Sequence, residues 1–258
     1  MEAVRPKKRY SQNFLSSEKI LDFITDAANL SKNDTVIEVG AGDGRLSARL
    51  SAKAKLIAVE IDRSLETILK KRLSGTSAAV IMDDFFNIDL SRFPDSFKVV
   101  ANLPYASAKH IIKRFIECGR VNLMIICLQK EVAQKYLNDT KGRSFLGWWL
   151  AFYADCQRLM SVERHQFVPV PKVDSEIIAI YPKRKRCYSE IDEEKYLRFL
   201  KICWKHPKKM VANNLSIKDG FLGDFAAKRA HQIDQNGFLK LYKLWSTYGK
   251  EKDKAESI

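Results

Sequence analysis

Apolar residues recur at helical spacing across residues 16–30 (SSEKILDFITDAANL). Ile20, Leu21, Ile24, Ala27 and Ala28 share one face there, and Ser16 or Ser17 can cap the start. The pattern then changes to continuous apolar runs. TVIEV runs into a glycine-rich turn, and LIAVEI (56–61), AAVIMDDFF, FKVVANLPY and VNLMIICLQ (121–129) repeat the form. Between the early runs, RLSARLSAKA and RSLETILKKRL have the spacing of amphipathic helices. Strands apolar on both faces, alternating with helices, predict an α/β domain: a mostly parallel sheet with helices on both faces.

From Phe145 to Tyr181 the chain supplies an aromatic-rich helix and then strand-like segments, RLMSVERHQF and SEIIAIYP. PKRKRCYS (182–189) interrupts the pattern with a proline and four consecutive cations. Beyond it, KYLRFLKICWKHPKKMVANNL and GFLKLYKLWSTYG predict a small C-terminal helical domain. The expected division is therefore residues 1–182 and residues 183–258.

Charge adds a partner class to this outline. The chain carries 45 Lys and Arg against 31 Asp and Glu, a net charge of +14, which suggests a polyanionic partner. Residues 183–258 hold 18 of the cations and 10 of the acids, so charge density is higher in the tail. The five cysteines are odd in number and form no CxxC pair, which supports neither a disulfide framework nor a zinc site. The first nine residues are basic and polar, unlike a signal peptide, and the longest apolar stretch, residues 145–154, is too short to span a bilayer. A soluble, cytoplasmic, monomeric protein without metal is the expectation.

Candidate chemistry begins where the first strand meets its helix. Glu38-Val39-Gly40-Ala41-Gly42-Asp43-Gly44 lets the backbone turn sharply and approach a ligand. Its G-x-G-x-G spacing departs from the dinucleotide pattern G-x-G-x-x-G. The next strand ends in Val59-Glu60-Ile61-Asp62, and an acid there can accept both hydroxyls of a ribose. The third ends in Asp83-Asp84, where a carboxylate can accept a hydrogen bond from an adenine amino group. Each feature alone fits an ordinary turn; together they describe an adenosyl pocket.

Asn102-Leu103-Pro104-Tyr105 follows the fourth strand. The amino group of adenine is a poor nucleophile because its lone pair is delocalised into the ring. An Asn carbonyl and a neighbouring backbone carbonyl can accept its hydrogens, hold nitrogen nearer tetrahedral geometry and aim the lone pair at a methyl sulfonium. Pro104 stiffens the turn, and Tyr105 offers a face on which an extruded base can stack. Positioning two reactants in this way needs neither a metal nor a covalent nucleophile.

Seven segments occur in order: SQNFL (11–15), EVGAGDG, VEID, Asp84, NLPY, LQKEVA (128–133) and FVPVPKVDS (167–175). This series resembles the ribosomal RNA adenine dimethyltransferases, which comprise the small-subunit dimethyltransferases and the macrolide-resistance methylases. The resemblance covers roughly residues 5–182 and, more weakly, the tail. It implies a Rossmann-like class I methyltransferase fold using S-adenosyl-L-methionine. By resemblance, Asn13 and Leu15 line the cofactor pocket, Gly40 lies against the methionine part, Glu60 holds the ribose and Asp84 reads the cofactor's adenine. Asn102 touches both cofactor and target amine, while Tyr105 and Phe167 sandwich the target adenine.

LQKEVA, Val211-Ala212-Asn213-Asn214-Leu215 and Lys228-Arg229-Ala230 are more similar to the small-subunit branch, whose substrate is a small-subunit precursor particle. SQNF is closer to the resistance branch, and Ala106-Ser107-Ala108-Lys109 departs from the usual Asn-Ile-Ser continuation. Three alternatives stand beside the main reading. One is a large-subunit rRNA methylase, another a non-catalytic assembly or transcription factor on the same fold. The third is a DNA adenine methylase, for which the expected duplex-reading domain is missing.

Overall fold

The computed structural model describes Lys7 and residues 12–137, 144–183, 191–217 and 220–255. Ser11 of SQNFL and residues 184–186 of the basic run lie outside the described residues. The chain divides into two compact units: Met1–Ala133 with Ala154–Arg184, and Gln134–Tyr153 with Lys185–Ile258.

In the first unit, β1 (Phe14–Leu15) precedes α1 (Glu18–Ala27). A strand–helix alternation follows: β2 (Thr35–Val39), α2 (Arg45–Lys53), β3 (Lys55–Glu60), α3 (Glu66–Arg72) and β4 (Ala79–Met82). The chain then forms β5 (Phe97–Asn102), α4 (Ala108–Cys118), β6 (Val121–Gln129) and α5 (Lys130–Leu137), within which the division falls. After α6 (Phe145–Tyr153), β7 (Ala154–Val162), β8 (Phe167–Val168) and β9 (Ser175–Pro182) return to this unit. The sheet order is β4-β3-β2-β5-β6-β9-β7. The first five strands run parallel, and β9 runs against both of its neighbours.

This order winds outward from β2 in two directions. Parallel crossovers are right-handed, so α2 and α3 cover one face while α4 covers the other. The reversal lies between β2 and β5, and open α/β sheets bind ligands at such a switch point. Val36, Leu56, Ala58, Val100 and Ile125, all buried, form the core below it. The apolar runs read as strands because both faces of this sheet are covered.

Ser17 occupies the first cap of α1 but makes no side-chain capping bond. The Ser16 hydroxyl is also diverted: it donates to the carbonyl of Gln166, 2.8 Å away, and so ties the start of the helix to the segment before β8.

The second unit contains α6, α7 (Glu193–Cys203), α8 (Val211–Leu215) and α9 (Gln235–Ala255). Its boundary differs from the expected one, because residues 134–153 fold with the tail. The reason lies in α6, whose sequence FLGWWLAFY is apolar nearly all round. Phe152 stacks on Tyr196 at 4.9 Å, and Trp148 packs against Phe238 at 4.9 Å. The aromatic helix therefore supplies core to the helical unit. Among the described residues, no helix is long and apolar enough to cross a membrane.

Candidate active site

A cavity of about 280 Å³ opens at the carboxyl ends of β2, β3, β4 and β5. Its floor is the turn after β2. Gly40 has φ +78° and Gly42 has φ +60°, a region costly for side-chain-bearing residues. A Cβ on Gly40 would stand 3.3 Å from Pro104 Cδ, and one on Gly42 would stand 3.0 Å from the Phe14 ring. The glycines thus admit the NLPY turn from one side and the amino-terminal segment from the other. Amides of Gly40 and Ala41 both donate to the Val59 carbonyl, at 2.8 and 3.1 Å, which joins this turn to the end of β3.

Glu60 at that strand end is buried, yet both carboxylate oxygens have donors. Oε2 accepts from Gly42 N at 2.7 Å and Oε1 from Asp62 N at 2.8 Å. Each oxygen retains lone-pair capacity for a second donor such as a ribose hydroxyl. Burial raises its pKa above the ordinary value, against the lowering effect of those amides. Deeper still, burial drives Glu38 well above the ordinary glutamate value, although Ser47 Oγ donates to it at 2.5 Å. The nearby carboxylates of Glu60 and Asp43 push in the same upward direction.

Asp84 is half-buried at the pocket edge, and its Oδ1 accepts from Phe86 N at 2.9 Å. Exposed Asp83 instead accepts from Asp84 N and the Asn87 side chain. Both acids line the cavity; Asp84 is the less exposed of the two. Arg114 on α4 braces that turn, donating to the carbonyls of Phe85 and Ile88 while its guanidinium lies 5.0 Å from the Phe85 ring centre. Phe86 and Ile61, both lining the pocket, are 43% and 40% exposed, so the rim carries apolar surface suited to a flat ring.

The opposite end holds NLPY. The Asn102 amide donates from Nδ2 to the Asn13 carbonyl at 3.0 Å. Its Oδ1 is buried and has no partner among the described residues. An unpaired buried acceptor is costly, and this one belongs to a residue that lines the cavity, where an entering donor could satisfy it. Tyr105 lies beside it; its hydroxyl shares a 2.7 Å hydrogen bond with Ser175 on β9. Burial pushes the Tyr105 hydroxyl up to about 12, so it stays protonated.

The structure brings Asn13, Leu15, Gly40, Glu60, Asp84, Asn102, Pro104 and Tyr105 to one cavity. Phe167 is placed elsewhere. It pairs with Leu15 across the β8–β1 bridge, is 0% exposed and packs in the core of the first unit. It does not line the cavity, so in this conformation its ring is not presented to a base.

Three further residues acquire structural contacts that sequence reading did not assign: Glu38, Arg114 and Ser175. Glu38 and Ser175 lie inside motifs already singled out, so proximity to those motifs was the usable signal. Arg114 had none, because its partners are backbone carbonyls 29 and 26 residues away. Among the described residues no group of His, Cys, Asp and Glu could hold a metal ion. Acceptors at both ends and a glycine cradle between them fit an adenosyl group facing an amine.

Comparison with known proteins agrees with this geometry. The family described as ribosomal RNA adenine dimethylase matches residues 3–248. A ribosomal RNA small subunit methyltransferase A from Fusobacterium nucleatum is 33% identical over 235 residues, covering 88% of this chain and 89% of that protein. Its namesake from Nostoc sp. is 35% identical over 229 residues, covering 82% and 84%. A dimethyladenosine transferase structure from Plasmodium falciparum superposes with a TM-score of 0.76 at 25% identity, covering 92% of this chain and 98% of that one. The 23S rRNA methyltransferase ErmE superposes with a TM-score of 0.77 at 24% identity, over 91% and 100%, a likeness of fold. The fold is that of the class I methyltransferases, and the chain belongs to the ribosomal RNA adenine dimethylase family.

Proposed function

We propose that this enzyme transfers methyl groups from S-adenosyl-L-methionine to the 6-amino group of adenine in small-subunit rRNA, continuing to the dimethylated product. The observation that carries the reading is Asn102: its amide is anchored to the Asn13 carbonyl while its buried Oδ1 has no partner among the described residues. That oxygen accepts a hydrogen of the target amine. The nitrogen is then held near tetrahedral geometry, and its lone pair points toward the cofactor. When bound, the cofactor supplies an electrophilic methyl group on sulfur. Asn102 would keep the amine aligned with that methyl group while its nitrogen releases a proton to solvent.

Glu60 would hold the ribose, Asp84 the cofactor's adenine, and Gly40 the methionine part, with Asn13 and Leu15 closing the pocket. Pro104 fixes the turn, and the Tyr105 face stacks on the extruded base, a contact worth roughly 1–3 kcal/mol. Phe167 could provide the second face only after residues 167–168 move, since it is buried in the core. The basic residues from 183 onward would dock rRNA through its phosphates. Lys183 contacts Asp155 at 2.9 Å, which makes residues 184–186 the better candidates within the run.

The names of the curated relatives from Fusobacterium nucleatum and Nostoc sp., both small-subunit enzymes, support that substrate branch. A helical unit this small has limited reading surface, which favours a target loop presented by a precursor particle. Incubation with labelled cofactor and purified substrates tests the proposal. Small-subunit precursor particles should be labelled at adenine N6 in preference to naked rRNA or large-subunit particles. Preferential labelling of protein-free large-subunit RNA would overturn the branch. No transfer to any RNA would overturn the catalytic reading.

A further inference from the structure

Residues 12–15 line the pocket, and their attachment converges on one side chain outside the roles assigned above. Asp62 follows β3 and is only 2% exposed. Its backbone amide donates to Glu60, while its carboxylate receives four donors. Ser64 contributes its amide at 3.1 Å and its hydroxyl at 2.7 Å, which is an ordinary cap of the local turn. The other two come from the amino-terminal segment: Lys7 Nζ at 2.7 Å and Gln12 Nε2 at 3.0 Å. A cap needs Ser64 alone. Burial would raise the Asp62 pKa, but hydrogen bonds from Lys7, Ser64 and Gln12 outweigh it and hold the value at about 2. The carboxylate is therefore ionised at any working pH, and its bond to Gln12 is charge-assisted.

The next residue along is Asn13, whose carbonyl accepts the Asn102 amide at 3.0 Å. Beyond it, the Phe14 ring rests on Gly42, and Leu15 pairs with Phe167. Rotating the Asn102 amide by half a turn would put Nδ2 where Oδ1 now lies and remove the acceptor from the site. Only the Asn13 carbonyl distinguishes the two orientations among the described hydrogen bonds.

We propose that Asp62 is a positioning residue: through Gln12 it holds residues 12–15 at the pocket, so that the Asn13 carbonyl keeps Asn102 Oδ1 turned toward the incoming amine. This rests on the role given to Asn102 above. Asp62 touches neither reactant; it acts through two intermediaries.

The test reads the Asn102 side-chain amide directly, as solvent exchange of its hydrogens in the full-length 15N-labelled protein. Asp62→Ala and Gln12→Ala should each accelerate that exchange by about tenfold, with little further effect when combined. Ser64→Ala, which removes the hydroxyl bonds to Asp62 and Lys7 but leaves the backbone cap and the Gln12 bond, should not alter it. Turnover should fall in the first two variants and not in the third. If Asp62→Ala fails to fold, Gln12→Ala cuts the same bond from the other side. Unchanged Asn102 exchange in Gln12→Ala would overturn the proposal, as would equal acceleration in Ser64→Ala. Failure of the wild-type protein to methylate rRNA would instead overturn the proposed function, with the exchange measurement still deciding the role of Asp62.

Discussion

The two ends of the pocket are built on opposite principles. At the cofactor end, the acceptors already have partners: Glu60 is held by two backbone amides and Asp84 by one. Those bonds fix the carboxylates before any ligand arrives, so ordering costs on binding are small. At the NLPY end, Asn102 Oδ1 is buried with no partner among the described residues. Satisfied acceptors bind a ligand much the same before and during reaction, which gives affinity. An unsatisfied acceptor aimed at a nitrogen that changes geometry favours the transition state, which gives rate. On the proposed function, one cavity separates holding from catalysing by how its acceptors are satisfied.

The sharpest break of this contrast is Asn102→Ala. Turnover should fall roughly 100- to 1,000-fold, the scale for losing one preorganised hydrogen-bonding group at a reacting centre. Cofactor affinity should change only a few-fold. Single-turnover transfer of labelled methyl measures the first, and calorimetry the second. Near-wild-type turnover would remove Asn102 from the mechanism.

Substitutions at the other end should show the reverse profile. Glu60→Ala should weaken cofactor binding by about 1–3 kcal/mol, leaving rRNA affinity unchanged. Asp84→Ala should cost less, since Asp84 is half-buried and holds one amide where Glu60 holds two. Wild-type cofactor affinity in both variants, measured by calorimetry, would refute the pocket assignment.

A smaller effect concerns how Tyr105 is held. Tyr105→Phe keeps the stacking face and loses the Ser175 bond, at a cost of about 1 kcal/mol in stability. Ser175→Ala should cost a similar amount, and the double variant little more than either, because one bond is being removed twice. Tyr105→Ala should slow the reaction more than Tyr105→Phe. Additive losses in denaturant titrations would show that the two hydroxyls act independently.

The subtlest expectation is a pH dependence of stability. Glu38 titrates well above the ordinary 4.5 when folded, chiefly because burial penalises its charge. The folded chain therefore binds more protons than the unfolded one between those two values. The stability this confers is complete below the unfolded value and is lost as pH rises through the folded one. Glu38→Gln carries no charge to bury, so its denaturation midpoint should be flatter as pH rises above the ordinary 4.5. An equally steep profile in that variant would assign the dependence to another group.

Much of this site was legible because its chemistry is local in sequence. Glycines at 40, 42 and 44 and acids at strand ends announce themselves within a few residues, and the alternation of buried runs and helices placed them on one edge of a sheet. The second unit was less legible. Its core depends on α6, an apolar helix 40 residues or more from its partners in α7 and α9, and periodicity cannot tell which neighbour an apolar helix will choose. The expected boundary at residue 182 failed to account for residues 134–153 for that reason.

The sequence alone determined the fold class, the family resemblance and most pocket residues, since period, turn chemistry and motif spacing are properties of short segments. Only the tertiary structure decided that Phe167 is in the core, because a lone aromatic beside a strand serves equally well inside or at a binding surface. It also decided that Arg114, Ser175 and Asp62 support residues far away in sequence. Those assignments rest on hydrogen bonds whose strength depends on distance, direction and burial, none of which is written in the order of residues.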